Sequence, residues 1–302
     1  MNRKDERFFS SLNLKEGGRI LISGGNSGIG YECTRYLLRN KWTIYWAVRN
    51  LEKANEAKNR LLEEFKDGEI NILHLDLSFP ESMKSFIENI KEGHLDFDVF
   101  YMNAGIYRVP YEEVYGRLES QVAVNFVSNL YLFEELFDYL NSLGHIVKYI
   151  LTSSVAARLS SFDENCFYGG KKYKKAMSYN YSKVGVNMLY LYALRKAEGT
   201  NILPLLVHPG IVYTPLIEKA YHGKTFILLA KRFMRTFFNK APRGALPALF
   251  VIQENVDTPM FVGPKGIGHT RGLPKPYRLY QGNLKNKDEM IEKAKDIIKD
   301  SI

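Results

Sequence analysis

The chain has 302 residues, of which 45% are hydrophobic and 13% aromatic, a composition that suits one large α/β domain and excludes the disordered and fibrous classes. Its 42 Lys and Arg exceed its 33 Asp and Glu, and the formal charge of +9 favours anionic ligands or surfaces such as nucleotides and acidic lipids. No dense basic block interleaved with aromatics indicates a nucleic-acid groove, so we expect no nucleic-acid partner.

The cysteines and the amino-terminal residues restrict the class further. Only Cys33 and Cys166 occur, which gives neither a disulfide framework nor a cysteine-based metal site, and we expect no bound metal. Residues 1–18 are charged and lack the apolar core of a secretory signal. No apolar stretch approaches the roughly 20 residues that span a bilayer. We therefore expect a cytoplasmic protein.

Short β-rich runs alternate with longer helix-like segments from residue 19 onward. The predicted strands are 19–23, 42–48, 70–77, 97–104, 145–153 and 201–209. The predicted helices include 31–40, 82–92, 121–140 and 182–198. Because strands that alternate with helices form right-handed crossovers, this pattern predicts a Rossmann-type, doubly wound parallel sheet in a three-layer αβα single domain. We place its core at about 15–265, followed by a tail at about 266–302 that ends in a polar helix.

A glycine-rich segment, SGGNSGIG (23–30), directly follows the first predicted strand. Gly24, Gly28 and Gly30 allow the sharp turn and the close backbone approach that a pyrophosphate needs, and the helix that follows offers free N–H groups to phosphates. The predicted phosphate loop also includes Asn26, Ser27 and Ile29. The alternative is a glycine-rich turn without a ligand, but the segment lies where a strand–helix–strand unit requires a phosphate loop.

The end of the second predicted strand bears on the choice of cofactor. NAD sites usually carry an acidic residue there, which binds the ribose hydroxyls. Here the sequence AVRN (47–50) supplies Arg49 and no acid. A guanidinium pairs with the 2′-phosphate that an acid would repel, so NADP(H) is favoured over NAD(H). The alternative for Arg49 is an exposed arginine at a strand end.

Further short motifs follow along the chain. They are Asp76-Leu77, Asn103-Ala104-Gly105, Asn125, Ser153-Ser154, Tyr179 with Lys183, Pro209-Gly210, and Thr214. With the glycine loop, these motifs resemble, in order and spacing, the classical short-chain dehydrogenase/reductase family over about 250 residues. The AVRN segment and the long stretch between serine and tyrosine are most similar to the retinol-dehydrogenase-like branch.

The resemblance implies further cofactor contacts beyond the glycine loop and Arg49. In the family, the aspartate at the position of Asp76 hydrogen-bonds adenine. The remaining implied contacts are Leu77, Asn103, Ala104, Gly105, Tyr179, Lys183, Pro209, Gly210, Val212 and Thr214. Taken singly, several of these positions have plainer interpretations: Asp76 as a turn residue, Asn103-Ala104-Gly105 as a tight strand exit, and Asn125 as a buried, backbone-bonded asparagine.

The resemblance also implies a reaction. In the family, a hydride passes between nicotinamide C4 and a carbinol or carbonyl carbon, and a tyrosine, here Tyr179, exchanges the proton on the substrate oxygen. A tyrosine has a pKa near 10, which a nearby ammonium such as that of Lys183 lowers. Ser154 would position the substrate oxygen. Asn125 would hold a water that links the lysine to solvent.

Two tyrosines in 168–183 each have a lysine four residues later, Tyr168 with Lys172 and Tyr179 with Lys183. The distance from Ser154 favours Tyr168. However, an apolar helical segment comes after Tyr179, whereas KKYKKAMS comes closely after Tyr168, and a tyrosine and lysine one turn apart need a rigid helix. Pro209 also lies 30 residues after Tyr179, the usual spacing in the family. We therefore choose Tyr179 and Lys183 and interpret 158–176 as an inserted loop.

The choice between the two neighbouring serines rests on the residues after them. Ser154 precedes VAA, which resembles the small-residue turn after the family's catalytic serine. Ser153 would then belong to the strand end. We choose Ser154.

The region after Gly210 corresponds to the family's substrate lid, here about 211–245. Within it, 225–240 carries an apolar, aromatic helical stripe with basic residues away from it. As a lid helix it would line a pocket for an apolar alcohol, ketone or aldehyde of retinoid, steroid or lipid type. The alternatives are a basic anchor on an acidic membrane surface and an ordinary packed helix.

The sequence leaves other functions on the same fold open. The main alternative is a non-catalytic NADP(H)-binding regulator that senses redox state, although such a protein has no need of Ser154, Tyr179, Lys183 and Asn125. An epimerase or dehydratase would normally show a different glycine spacing and an acid after the second strand. The resemblance also implies a homodimer or homotetramer that packs through 120–140 and 180–196.

Overall fold

A single mixed sheet with helices on both faces forms the centre of the protein. The computed structural model describes residues 3–170, 173–213, 239–253 and 255–302. Within them the sheet has the strand order β12-β11-β8-β7-β4-β1-β2-β3. Its strands are β1 (Arg19–Ser23), β2 (Thr43–Val48), β3 (Glu69–His74), β4 (Val99–Met102), β7 (Val147–Thr152), β8 (Ile202–Val207), β11 (Met260–Pro264) and β12 (Pro274–Tyr277).

All six predicted strands are present, and each neighbouring pair among them is parallel. The doubly wound order therefore confirms the predicted Rossmann-type fold. The order reverses between β1 and β4, where consecutive crossovers lead to opposite sides of the sheet. In such sheets ligands bind beyond the carboxyl ends of the strands at this point.

Two further strands extend the sheet beyond the six that the sequence predicted. β11 pairs in parallel with β8, and β12 pairs with β11 in the antiparallel direction. β12 contains Pro274 and Pro276, which cannot donate to a ladder, and proline in a strand is confined to positions such as a sheet edge. This explains why PKPY does not read as a strand. The sheet thus continues beyond residue 265, where the predicted core ends.

Helices cover the two faces of the sheet over separate apolar cores. Along the described residues they are α1 (Arg3–Ser10), α2 (Gly28–Leu38), α3 (Leu51–Glu64), α4 (Pro80–Glu92), α5 (Ser120–Val122), α6 (Ser128–Ser142), α7 (Lys175–Lys196), α8 (Ala241–Ile252) and α9 (Lys287–Ser301). The first three and α8 share one core, and the others share the second. None of these described helices is long and apolar enough to cross a membrane.

The terminal helix α9 packs on the body of the protein, although its sequence is largely polar. Its apolar residues Met290, Ile291, Ala294 and Ile297 recur at helical spacing and are all buried. They join the core formed with α6 and α7. The predicted tail therefore docks through α9 against α6 and α7.

Two small two-stranded elements lie outside the main sheet. β5 (Glu113–Val114) and β6 (Leu118–Glu119) form a hairpin before α5, and β9 (Val212–Tyr213) pairs with β10 (Asn239–Lys240). Most of the predicted lid, including the 225–238 part of the amphipathic segment, lies outside the described residues, as do Thr214 and Lys172.

Candidate active site

The exits of β1 and β4 are tied together at the carboxyl edge of the sheet. The Ser23 hydroxyl accepts hydrogen bonds from the backbone N–H groups of Asn103 and Ala104, both at 2.9 Å. The Asn103 side-chain amide donates to the Ser23 carbonyl at 3.0 Å. The predicted Asn103-Ala104-Gly105 element thus lies beside the glycine loop, at the point where the strand order reverses.

The glycine loop has the shape that a pyrophosphate requires. Gly28 adopts a φ of +57°, which a residue with a side chain rarely adopts, and α2 begins there. At Gly30 a Cβ would lie 2.7 Å from the Gly24 carbonyl oxygen, so only glycine fits. Ser27 is exposed at the helix start, and Asn26 and Ile29 are half-buried beside it. A tight turn at a helix amino terminus suits a phosphate group, so the residues present fit a dinucleotide.

Arg49 and Asp76 lie together beyond the ends of β2 and β3. The Arg49 Nε lies 3.9 Å from an Asp76 carboxylate oxygen, and the Arg49 side chain is 70% exposed. Asp76 accepts hydrogen bonds from the backbone N–H and the hydroxyl of Ser78, at 2.9 and 2.5 Å. Leu77 is buried, and its carbonyl accepts a hydrogen bond from Tyr115. A solvent-exposed guanidinium therefore lies where the sequence predicts the 2′-phosphate contact.

Asn125 lies in a π-helical turn, Ala123–Val127, between α5 and α6. Its side-chain oxygen accepts the N–H of Ile106 at 2.8 Å, and its amide donates to the Ile106 carbonyl and the Ser182 hydroxyl, both at 2.9 Å. A Cβ at Gly105 would lie 2.8 Å from the Asn125 oxygen and 3.8 Å from Lys183 Nζ. The wide turn and the missing side chain together let Asn125, the strand exit and Lys183 meet.

Lys183 and Tyr179 project from the first half of α7, one turn apart. The Lys183 ammonium donates to the Thr152 carbonyl at 2.8 Å and lies 5.8 Å from the centre of the Tyr179 ring. Burial lowers the pKa of Lys183 to about 8. Burial also raises the pKa of Tyr179, while a hydrogen bond with Ser154 and the charge of Arg108 act in the opposite direction. Ser154, Tyr179 and Lys183 are thus brought together.

The two neighbouring serines point to different partners. Ser153 is buried, and its hydroxyl donates to the Asn187 side chain at 2.6 Å. Ser154 precedes a 3₁₀ turn, Val155–Arg158, and its hydroxyl accepts the Ala156 N–H at 3.2 Å. The same hydroxyl acts to lower the pKa of Tyr179. The geometry therefore favours Ser154 as the residue that faces a substrate oxygen.

Tyr168 lies in a different environment from Tyr179. It follows a 3₁₀ turn, Glu164–Phe167, inside the predicted insert, and the Arg117 guanidinium lies 5.1 Å from the centre of its ring. Tyr179, by contrast, is on α7, where the Ser154 hydroxyl acts to lower its pKa. This arrangement favours the second tyrosine–lysine pair.

The Pro209-Gly210 segment leaves β8 on the same edge of the sheet. Gly210 has a φ of +77°, and its N–H donates to the ring of His208 at 3.3 Å. Burial lowers the pKa of His208 to about 3, so the ring is neutral. Pro209 is half-buried, and Val212 is buried in β9, where a Cβ at Gly244 would meet it.

Two residues beside Tyr179 were not singled out from the sequence. The ring edge of Tyr107 packs on Tyr179 with centroids 4.6 Å apart and an interplanar angle of 89°. The Arg108 guanidinium lies 5.2 Å from the centre of the Tyr107 ring. Both residues come soon after Gly105. In the sequence, their only sign of a role in the site is that an aromatic and a basic residue follow this strand exit.

Comparison with known proteins adds independent findings to this geometry. The family profile described as short chain dehydrogenase matches residues 19–225, which is more than half of the chain. The chain belongs to the short chain dehydrogenase family. Members of this family are nicotinamide-dependent oxidoreductases of alcohol and carbonyl groups.

One curated relative and two solved structures resemble this chain over most of its length. Retinol dehydrogenase 12 from Mus musculus is 27% identical over 241 residues, covering 79% of this chain and 74% of that protein. An uncharacterised protein from Mycobacterium Paratuberculosis has a TM-score of 0.71 at 22% identity, covering 97% of this chain and 95% of that one. L-Sorbose reductase from Gluconobacter frateurii, complexed with NADPH and L-sorbose, has a TM-score of 0.61 at 17% identity, covering 80% and 92%. The predicted resemblance to the retinol-dehydrogenase-like branch is confirmed.

Proposed function

We propose that this protein is an NADP(H)-dependent oxidoreductase of apolar alcohols and of the corresponding ketones or aldehydes, with Tyr179 as the general acid and base. The observation that carries the proposal is the grouping of Ser154, Tyr179 and Lys183 at the carboxyl edge of the sheet. This group lies on the same edge as the glycine loop and next to Gly105. A proton relay and a dinucleotide loop at one site fit an enzyme that transfers a hydride better than a protein that only binds the cofactor.

Each side chain has a distinct part in the proposed reaction. The nicotinamide, when bound, supplies or accepts the hydride. Ser154 donates a hydrogen bond to the substrate oxygen and fixes it beside the Tyr179 hydroxyl. Tyr179 gives its proton to that oxygen during reduction and takes it back during oxidation. Lys183, when charged, favours the phenolate of Tyr179 and so lowers its pKa.

The preference for NADP(H) rests on Arg49. Its guanidinium is 70% exposed, and the Asp76 carboxylate lies 3.9 Å from its Nε, which is too long for a strong ion pair. A 2′-phosphate beside it would gain charge-assisted hydrogen bonds at little cost. The NADPH in the L-sorbose reductase complex is compatible with this choice, although it is a property of that protein.

The apolar substrate class rests on two observations. The name of the retinol dehydrogenase relative refers to a lipophilic alcohol, and the aromatic ring of Tyr107 packs against Tyr179. The lid helix at 225–240, the homodimer or homotetramer and the cytoplasmic location stay predictions. The redox-sensing regulator also stays as the alternative, since it would bind NADP(H) on the same loop and turn nothing over.

A substrate screen tests the proposal directly. Purified protein would be incubated with NADP(H) or NAD(H) and a panel of retinoid, steroid and aliphatic alcohols and carbonyls, with turnover followed by nicotinamide absorbance. We expect turnover of at least one apolar substrate, and faster with NADP(H). Tight NADPH binding without turnover of any panel member would favour the regulator, and turnover of polar sugars alone would contradict the apolar class.

A further inference from the structure

A buried carboxylate, that of Glu119, lies directly before α5 and is not one of the proposed catalytic groups. Glu119 is fully buried at the end of β6. One of its oxygens accepts a hydrogen bond from the Tyr173 hydroxyl at 3.0 Å. The other accepts the Val122 N–H at 3.0 Å and the Ser178 hydroxyl. A buried carboxylate requires donors of this kind, so its position fixes theirs.

The neighbouring side chain of Gln121 extends these contacts to the active-site loop. Gln121 is also fully buried. Its side-chain oxygen accepts the backbone N–H of Arg108 at 2.6 Å. Its amide donates to the Tyr173 hydroxyl at 2.9 Å and to the Lys175 carbonyl at 3.1 Å. Gln121 thus joins the loop after β4 to the first turn of α7.

Tyr173 is the point where these contacts meet. Its hydroxyl lies 3.0 Å from both the Glu119 oxygen and the Val109 carbonyl, and it accepts the amide of Gln121. Burial and the charge of Glu119 raise the pKa of Tyr173 far above its usual value. The hydroxyl therefore stays protonated and can donate to either acceptor. Its ring also packs on Tyr111, with centroids 5.3 Å apart.

The segments joined in this way flank Tyr179 on two sides. Ser178, which donates to Glu119, is the residue directly before Tyr179. Arg108, whose N–H bonds Gln121, directly follows Tyr107, whose ring edge packs on Tyr179. A shift of either segment would therefore move the ring of Tyr179 or its neighbour. Small displacements of a reacting group lower rates strongly.

We propose that Tyr173, with Glu119 and Gln121, is a positioning residue that holds Tyr179 in its reactive place. The proposal rests on the proposed function, because it assigns Tyr179 the proton transfer. It gives the lysine-rich insert a defined part in the site: the insert supplies the hydroxyl that connects the loop after β4 to the start of α7.

The test compares Tyr173→Phe with Tyr168→Phe. Both variants remove one hydroxyl from the same insert, but within the described residues the Tyr168 hydroxyl makes no hydrogen bond. We expect Tyr173→Phe to lower kcat about tenfold with KM changed by less than about twofold, because Tyr179 is misplaced while substrate contacts remain. Tyr168→Phe should keep the parent values. A kcat for Tyr173→Phe equal to that of Tyr168→Phe would overturn the proposal, even with an altered KM.

A second measurement is independent of turnover. Lys174 and Lys175 are exposed trypsin sites next to Tyr173. We expect trypsin to cut there several-fold faster in Tyr173→Phe than in the parent or Tyr168→Phe, because the anchor of the insert is weakened. If the parent turns over no substrate, the proposed function fails, and the cleavage rates alone decide whether the hydrogen bonds of Tyr173 with Glu119 and Gln121 hold the insert in place. Equal cleavage of the two variants would show that they do not, and would overturn the proposal for Tyr173.

Discussion

At the scale of single residues, the burial of Lys183 destabilises the fold, and its proposed part in catalysis explains why it is retained. Its ammonium is almost fully buried, and the Thr152 carbonyl accepts its hydrogen bond. Burial therefore lowers its pKa from 10.5 to about 8. A buried charge that is only partly compensated destabilises a fold, and such groups persist where chemistry requires them.

Replacing this lysine should stabilise the protein while removing activity. Below about pH 8 the folded state must bury the ammonium, so Lys183→Met should raise the free energy of unfolding at pH 7 by about 1–3 kcal/mol. The gain should shrink as pH rises from about 8 to 10.5, where folded and unfolded lysine both become neutral. Denaturant unfolding of the cofactor-free protein measures this, with the exposed Lys299→Met as control. A less stable variant at pH 7 would refute the electrostatic account.

The charge of Arg49 should decide which cofactor the protein binds more tightly. Arg49→Asp should weaken NADPH binding by about ten- to a hundredfold, because an attractive charge at the 2′-phosphate becomes a repulsive one. NADH binding should change little. Fluorescence titration with both cofactors measures the preference. Arg60→Asp makes the same change of charge on the exposed side of α3 and should bind like the parent. Equal affinity of the parent for NADPH and NADH would contradict the role of Arg49.

Some residues of the candidate site could be predicted from the sequence, and others could not. Motif order, the helical segment after Tyr179 and the residues after Ser154 were enough to propose Ser154, Tyr179, Lys183 and Asn125 as candidates, whereas the distance from Ser154 to the tyrosine pointed to Tyr168. Tyr107 and Tyr173 could not be selected, because their importance lies in contacts with residues far along the chain.

At the scale of elements, the six parallel strands were predictable because strands buried on both faces read as apolar runs. The insert was recognised only as a break in pattern. Its 3₁₀ turn at Glu164–Phe167 and its contacts to Glu119 and Asn283 depend on tertiary partners. The π-helical turn at Asn125 was equally hidden, since its sequence reads as an unbroken helix.

The docking of α9 supplies a prediction about stability. Ile291 is 1% exposed and joins the core that α6 and α7 share. Ile291→Ala should therefore lower the free energy of unfolding by about 2–4 kcal/mol through lost burial and the cavity left behind. Denaturant unfolding measures the loss, and Asp300→Ala on the exposed side should change it by less than about 0.5 kcal/mol. An equal effect of both substitutions would show that α9 does not stabilise the fold.

At the scale of the whole molecule, the doubly wound sheet brings distant motifs to one edge. Ser23 and Asn103 are 80 residues apart and are joined by a hydrogen bond. Family order predicted this convergence, because parallel strands place all their carboxyl ends on the same side. The substrate could not be predicted in the same way, because the sequence pattern after Pro209 departs from the regular succession of predicted strands and helices.

We propose that Tyr179, and not Tyr168, exchanges the proton. With a substrate found by the NADP(H) screen, steady-state turnover of Tyr179→Phe and Tyr168→Phe decides it. Tyr179→Phe should lose at least about 99% of kcat, because the proton donor is removed, while NADPH binding persists. Tyr168→Phe should retain most of its turnover. Full activity of Tyr179→Phe, or its loss in Tyr168→Phe alone, would contradict the account.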